Sequence, residues 1–91
     1  MGLSRASFRK QANMPTALRI GPCRLFFVSL DYDEPPHVHV RREEKVAKFW
    51  LDPVALQKAG GFSRTELSRI AALINENREY LLERWHEFFG D

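Results

Sequence analysis

The chain has 91 residues, of which 44% are hydrophobic and 29% charged, and its 14 Lys and Arg against 12 Asp and Glu give a formal net charge of +2. A chain of this length forms one small domain, and its seven Phe, two Trp and two Tyr argue against disorder. The single cysteine, Cys23, excludes an internal disulfide and a multi-cysteine metal cage. Because no apolar run is long enough to span a membrane and residues 1–13 lack a secretory signal, we expect a cytoplasmic protein.

The amino-terminal thirteen residues, MGLSRASFRKQAN, have no hydrophobic periodicity and predict a flexible basic extension. Residues 14–91 then form a single α+β domain. Every charged residue before Asp31 is basic, which favours contact with nucleic acid or an acidic partner, the alternative being a solvated tail.

Two β-hairpins are predicted in the first part of the domain. Residues 16–20 and 24–30 are β-prone runs on either side of the turn pair Gly21-Pro22. The stretch 31–36 ends in two prolines and predicts a loop. Residues 37–42 and 45–51 predict a second hairpin around Glu43-Glu44.

The alternation of side chains sorts the second hairpin into two faces. With Glu43 and Glu44 in the turn, one face is apolar and faces the core; its residues are Val38, Val40, Ala47 and Phe49. The other face collects polar, basic and aromatic side chains; its residues are His37, His39, Arg41, Lys48 and Trp50.

The last part of the chain is predicted to be helical. Asp52-Pro53 is a favoured helix start and Gly60-Gly61 a favoured stop, so we expect a short helix through about Ala59. Ser63 and Glu66 form a capping box. The apolar spacing that follows predicts either one helix of about 26 residues, over 64–89, or two helices bent around 75–77. The expected fold is therefore α+β: a small antiparallel sheet of two hairpins, then a short helix and a long C-terminal helix.

The pattern His37-Val38-His39 is the sharpest chemical signal, because two histidines two apart on a strand project to the same side. They are a candidate acid and base for RNA cleavage, with Arg41 and Lys48 holding phosphate and Trp50 stacking on a base. Non-catalytic binding through the same residues and a purely structural role remain open. We expect no metal and no cofactor; the alternative is a metal site of His37, His39 and Glu34, with Asp52 and His86 as further ligand candidates.

The long helix carries more apolar surface than a small sheet can cover, which predicts a binding face for another chain. Its residues are Leu81, Trp85 and Phe88. The expected partner is a cognate small protein or a second copy of this chain, RNA is the other expected partner, and no membrane contact is predicted.

Five stretches of the sequence carry a resemblance to a known family: MPTALRIGP at 14–22, FF at 26–27, EPPHVHV at 34–40, AKFWLDPV at 47–54 and WHEFF at 85–89. Together they resemble a small bacterial family catalogued as domain of unknown function 4160. The resemblance implies a component of a two-gene toxin–antitoxin-like module. The function predicted on this basis is RNA binding through the His-x-His face, with ribonuclease-like cleavage left open; the alternative is a non-catalytic antitoxin or accessory module that binds protein through the long helix.

Overall fold

A five-stranded antiparallel sheet and two helices make up the fold in the computed structural model, which describes residues 16–90. The predicted extension 1–13 therefore lies outside the described residues. The strands are paired in sequence order, and a 3-10 turn at Ser29–Asp31 interrupts the connection between the second and third. The elements are β1 Thr16–Ile20, β2 Cys23–Phe26, β3 His37–Arg42, β4 Lys45–Leu51, β5 Val54–Lys58, α1 Arg64–Glu76 and α2 Arg78–Phe89. The predicted α+β class is confirmed.

Both predicted hairpins are present. β1 pairs with β2 around Gly21, whose positive φ of 56° lies in the left-handed region that favours glycine. β2 ends at Phe26, earlier than the predicted residue 30. The next residue, Phe27, is buried in the core against Trp85, and the chain then enters the 3-10 turn.

The predicted register of the second hairpin is confirmed pair by pair. Val38 lies opposite Phe49 and Val40 opposite Ala47, and all four are buried in the main core. On the other side of the same strands, His37 lies opposite Trp50 and His39 opposite Lys48. The turn residues Glu43 and Glu44 set this register, as the alternation required.

The segment after Asp52-Pro53 is a strand, not the short helix that the sequence predicts. The chain reverses over these two residues, and β5 pairs with β4 from Leu51 opposite Val54 onward. An Asp-Pro pair suits a tight turn as well as a helix start, and five residues are too few for helical periodicity to decide. Gly60 ends this segment close to β4, where an added Cβ would lie 1.8 Å from the Val46 carbonyl oxygen.

The helical region is divided at Asn77, in agreement with the bent alternative. Ser63 Oγ accepts a hydrogen bond from the Glu66 amide and the Glu66 carboxylate accepts one from the Ser63 amide, so the capping box is confirmed. At the start of α2, Arg78 donates to the Leu51 carbonyl at 2.9 Å and to the Asp52 carboxylate. These bonds fix the second helix to the turn between β4 and β5.

The main core lies between one face of the sheet and the two helices. Its sheet side includes Leu25, Val40 and Phe49, and its helix side includes Ile74 and Leu81, all of them buried. Neither helix within residues 16–90 is long and apolar enough to cross a membrane. The opposite face of the sheet carries five of its seven basic residues, together with His37, His39 and Trp50.

Candidate functional site

The face of the sheet opposite Val38, Val40 and Phe49 is here called the outer face; at its His37 end it meets Trp85 of α2. Directly paired residues of an antiparallel sheet point to the same side, so the register places the outer-face residues in rows across the strands. One row is Arg19, Arg24 and Arg41; the next is Phe26, His39, Lys48 and Lys58; the last is His37, Trp50 and Ala55.

All of the charged residues in the five strands are basic. The five strands together hold seven Lys and Arg and no Asp or Glu. Arg19 and Arg41 are exposed. Arg24, between them, donates to Thr16 Oγ1 at 2.6 Å and lies 4.7 Å from the centroid of the Phe26 ring. The arginine row therefore places three positive charges side by side on three adjacent strands, and side-chain contacts hold the middle arginine, Arg24, in position.

The connection between β2 and β3 brings carboxylates to the outer face. Asp31 closes the 3-10 turn, where its amide donates to the Val28 carbonyl, and its own carbonyl accepts from the Glu34 amide. The side chain of Asp31 reaches both strand histidines through one oxygen. Asp31 Oδ2 lies 2.8 Å from His37 Nε2 and 3.0 Å from His39 Nε2. We call Asp31, His37 and His39 the triad.

His37 is the fully buried member of the triad. Its Nδ1 lies 2.9 Å from the Pro35 carbonyl oxygen, so both ring nitrogens have polar partners. Three aromatic rings surround it, with ring centroids of His39, Trp50 and Trp85 at 5.2, 5.6 and 5.0 Å. His37 is therefore held from every side and has no surface to present to a substrate.

His39 and Asp31 are partly open to solvent, with 17% and 19% of their side chains exposed. Burial lowers the pKa of His39 below its ordinary value, and the hydrogen bond to Asp31 opposes this only in part. For Asp31, burial alone would raise the pKa, but the hydrogen bonds from His39 and His37 outweigh it, and the pKa is lowered. At neutral pH, Asp31 is therefore a carboxylate and His39 a neutral ring.

Lys48 is less available than its place in the sequence suggests. Its Nζ lies 2.6 Å from Glu34 Oε1 and 5.0 Å from the centroid of Trp50, and only 16% of its side chain is exposed. Beside it, a groove of about 300 Å³ runs along the outer face. Its lining includes His39, Gln57 and Lys58. The free charge at this groove comes from Lys58, which is exposed.

The structure brings the predicted histidines together but does not arrange them as an acid and base pair. Such a pair needs both rings within hydrogen-bond reach of the scissile group. His37 is fully buried, and both histidines use Nε2 for the same carboxylate. Glu34, the predicted third metal ligand, lies 3.7 Å from His37 Nδ1, on the opposite side of the ring from Asp31.

The helix residues predicted for partner binding lie inside this chain. Leu81 and Trp85 are buried in the main core, and Phe88 is half-buried against Phe27, with ring centroids 5.9 Å apart. Leu81 and Trp85 have no surface left for another protein, because the rest of this chain already covers them. The predicted protein partner itself stays a prediction.

The sequence pattern singles out neither Asp31 nor the arginines Arg19 and Arg24 as site residues. Asp31 belongs to the predicted loop 31–36, and its position six residues before the first histidine of the His-x-His strand is the signal that could identify it. Arg19 and Arg24 belong to the basic first part of the chain, and only the register puts them in one row with Arg41. Tyr32, 71% exposed, and Leu30, 80% exposed, flank Asp31 in the chain as large apolar side chains in solvent.

The profile described as "Domain of unknown function (DUF4160)" matches residues 23–86, more than half of the chain. The chain belongs to this family. No curated protein and no solved structure matches it. The DUF4160 match begins at β2 and ends within α2, so it contains the whole triad and most of the outer face.

Proposed function

We propose that this DUF4160 chain binds single-stranded RNA through its outer face. The observation that carries the proposal is the sign of the charge: the strands hold no acidic residue, five of their seven basic residues lie on the outer face, and three arginines form one row there. Phosphate contacts supply most of the sequence-independent affinity for nucleic acid, and arginine is the side chain best suited to them.

The geometry of the arginine row suits an extended strand better than a point ligand. Adjacent strands lie about 4.8 Å apart, so Arg19, Arg24 and Arg41 extend over about 10 Å of the sheet. Lys58 continues the positive charge on the other side of His39. A phosphate backbone that crosses the strands would meet these groups in succession.

Aromatic side chains supply the second element of such a surface. Stacking on aromatic rings binds single-stranded bases with little sequence preference. Tyr32 is the exposed ring beside the triad, and Trp50 is the half-buried ring on the sheet. We assign the main stacking contact to Tyr32, because Lys48 and His37 already occupy two sides of the Trp50 ring.

The proposal is limited to binding. Metal-free cleavage by two histidines would need His37 at the substrate, and His37 is buried beneath His39, Trp50 and Trp85. The role in a bacterial toxin–antitoxin-like module, the cytoplasmic location and the cognate protein partner stay predictions that follow from the family resemblance and the composition.

The test compares two charge-matched double variants in fluorescence anisotropy with a labelled single-stranded RNA over a series of salt concentrations. Arg19→Gln/Arg41→Gln removes two charges from the outer face. Arg64→Gln/Arg69→Gln removes two exposed charges from α1. We expect the first variant to lose about tenfold or more in affinity and to reduce the slope of log K against log salt by about 1 to 2, because each lost phosphate contact removes about one released counterion.

The α1 variant should stay close to the wild-type chain in both affinity and slope. Tyr32→Ala should weaken binding by about 1–3 kcal/mol without changing the slope, since stacking releases no counterion. Equal losses in the two arginine variants would show that only net charge matters. That result, or the absence of RNA binding by the wild-type chain, contradicts the proposal.

A further inference from the structure

We propose that the triad is a binding site for one divalent transition-metal ion, with Asp31 Oδ2, His37 Nε2 and His39 Nε2 as its protein ligands. Among residues 16–90, these three side chains are the group of metal-ligating residues that converges, with the three ligand atoms within 4.8 Å of one another. The inference does not rest on RNA binding, because the metal alone is its ligand.

The hydrogen bonds of His37 point to a cation. Its Nδ1 faces the Pro35 carbonyl oxygen at 2.9 Å and its Nε2 faces Asp31 Oδ2 at 2.8 Å. Both partners are acceptors, whereas a neutral imidazole has one N–H donor and one lone pair. With its proton on Nδ1, a neutral His37 directs the Nε2 lone pair at a carboxylate oxygen. In a fully buried ring, either a second proton or a shared metal ion relieves this repulsion.

The surroundings of His37 are those of a metal ligand. Ligating histidines regularly donate the other ring N–H to a backbone carbonyl or a carboxylate, which fixes the tautomer and the ring orientation. The Pro35 carbonyl fills this role. Asp31 Oδ2 lies 2.8 and 3.0 Å from the two histidine nitrogens, whereas two ligand atoms about 2.1 Å from one tetrahedral ion are about 3.4 Å apart, so a bound ion would separate these atoms by about half an ångström.

The donor set and the exposure of the triad identify the kind of ion. Two imidazoles and one carboxylate suit zinc and iron(II) better than magnesium or calcium, which prefer oxygen ligands. Three protein ligands leave coordination positions for water or a substrate. These positions lie toward solvent, because Asp31 and His39 are partly exposed while His37 closes the buried side.

The charges nearby are compatible with a dication. Asp31 supplies one negative charge, and the nearest lysine, Lys48, has its own partner in Glu34 at 2.6 Å. That ion pair also holds the Glu34 carboxylate away from Nε2 of His37. The site therefore has one carboxylate ligand, not two.

The experiment is isothermal titration of the chelator-treated full chain with Zn²⁺, repeated with Co²⁺ to record visible ligand-field absorption. We expect one ion per chain and a Co²⁺ spectrum that saturates at the same ratio. Asp31→Asn and His39→Gln should each weaken Zn²⁺ binding by at least about 100-fold, since loss of a ligand exceeds the loss seen for a supporting residue. His37 is left unchanged, because its burial makes a folding defect the expected result.

Three control variants separate this site from other metal-binding groups. Asp33→Asn removes an exposed carboxylate from the same loop, His86→Gln removes the third histidine, and Cys23→Ser removes the thiol. All three should bind Zn²⁺ as the wild-type chain does. Circular dichroism of each metal-free variant checks that the fold is retained.

The inference is overturned if the wild-type chain takes up no Zn²⁺, or if folded Asp31→Asn binds it with unchanged affinity. Equal losses in His86→Gln or Cys23→Ser would overturn it as well, because the ion would then lie elsewhere. RNA binding is measured separately in the presence of chelator, so failure of the metal site and failure of the RNA surface give different results.

Discussion

The two faces of the β3–β4 hairpin are built from alternate residues of the same two strands, yet different parts of the chain cover them. On the inner face, Val38 and Phe49 are buried under the two helices. On the outer face, His39 and Lys48 meet Asp31 and Glu34, which come from the chain's own β2–β3 connection. One face is stabilised by apolar packing and the other by hydrogen bonds and ion pairs.

The inner face of the hairpin changes from apolar to charged residues near the turn between β3 and β4. At the tip of the hairpin, Arg42 and Lys45 lie opposite each other and both approach Glu66 at the start of α1, at 3.2 and 3.6 Å. Each face therefore brings basic strand residues to a carboxylate from outside the hairpin. The difference is burial, because the Glu66 contacts are far more open to water than those between Asp31 and His37.

The largest effect is expected from breaking the inner face with Phe49→Ala. Phe49 is 1% exposed, and removal of a buried phenylalanine ring lowers the free energy of unfolding by about 3–5 kcal/mol. Its neighbour Lys48 is the matched control on the outer face of the same strand. Lys48→Ala should lower it by less than about 1 kcal/mol, because its partner Glu34 is more than a third exposed. Urea unfolding measures both, and similar losses would contradict the assignment of the two faces.

An intermediate effect is expected from Asp31→Asn in the metal-free chain. The substitution removes the charged acceptor of the hydrogen bond that His39 donates. Hydrogen bonds to charged groups contribute about 1.5–3 kcal/mol, so a loss in that range is expected in urea unfolding with chelator present. Asp33→Asn changes an exposed residue of the same loop and should leave stability nearly unchanged. If the two variants are equally stable, the Asp31 carboxylate contributes nothing to the stability of the fold.

The sequence predicts those contacts that join residues close together in the chain. The alternation in β3 and β4 is fixed by their short turn, and it predicted the pairing of His39 with Lys48 and of Val38 with Phe49. The capping box was predicted for the same reason, since Ser63 and Glu66 are three residues apart.

What the sequence could not predict depends on how distant segments meet. Asp31 reaches His39 only because the loop between them folds back over the sheet. The arginine row depends on the register between β2 and β3, which are joined by a connection of ten residues, 27–36. The helical spacing of Leu81 and Trp85 predicts an apolar stripe but does not show what covers it, so the sequence alone places these two residues on a binding surface.

The smallest effect, and the one that best separates charge from packing, is expected from Glu66→Gln. The hydrogen bond from the Ser63 amide, together with the attraction of Lys45 and Arg42, lowers the pKa of Glu66 against a smaller opposing effect of desolvation. The unfolded chain therefore takes up this proton at a higher pH than the folded chain does. It follows that the stabilisation is complete at neutral pH and is lost as the pH falls below about 4.5, the ordinary value for this side chain.

Glutamine keeps the geometry of the capping box and cannot titrate. The difference in unfolding free energy between wild type and Glu66→Gln should thus be present at pH 7 and shrink in acid, and high salt should remove the part due to Arg42 and Lys45 while leaving the capping bond. Parallel stability curves over this pH range would mean that the Glu66 charge stabilises neither the helix nor the tip of the hairpin.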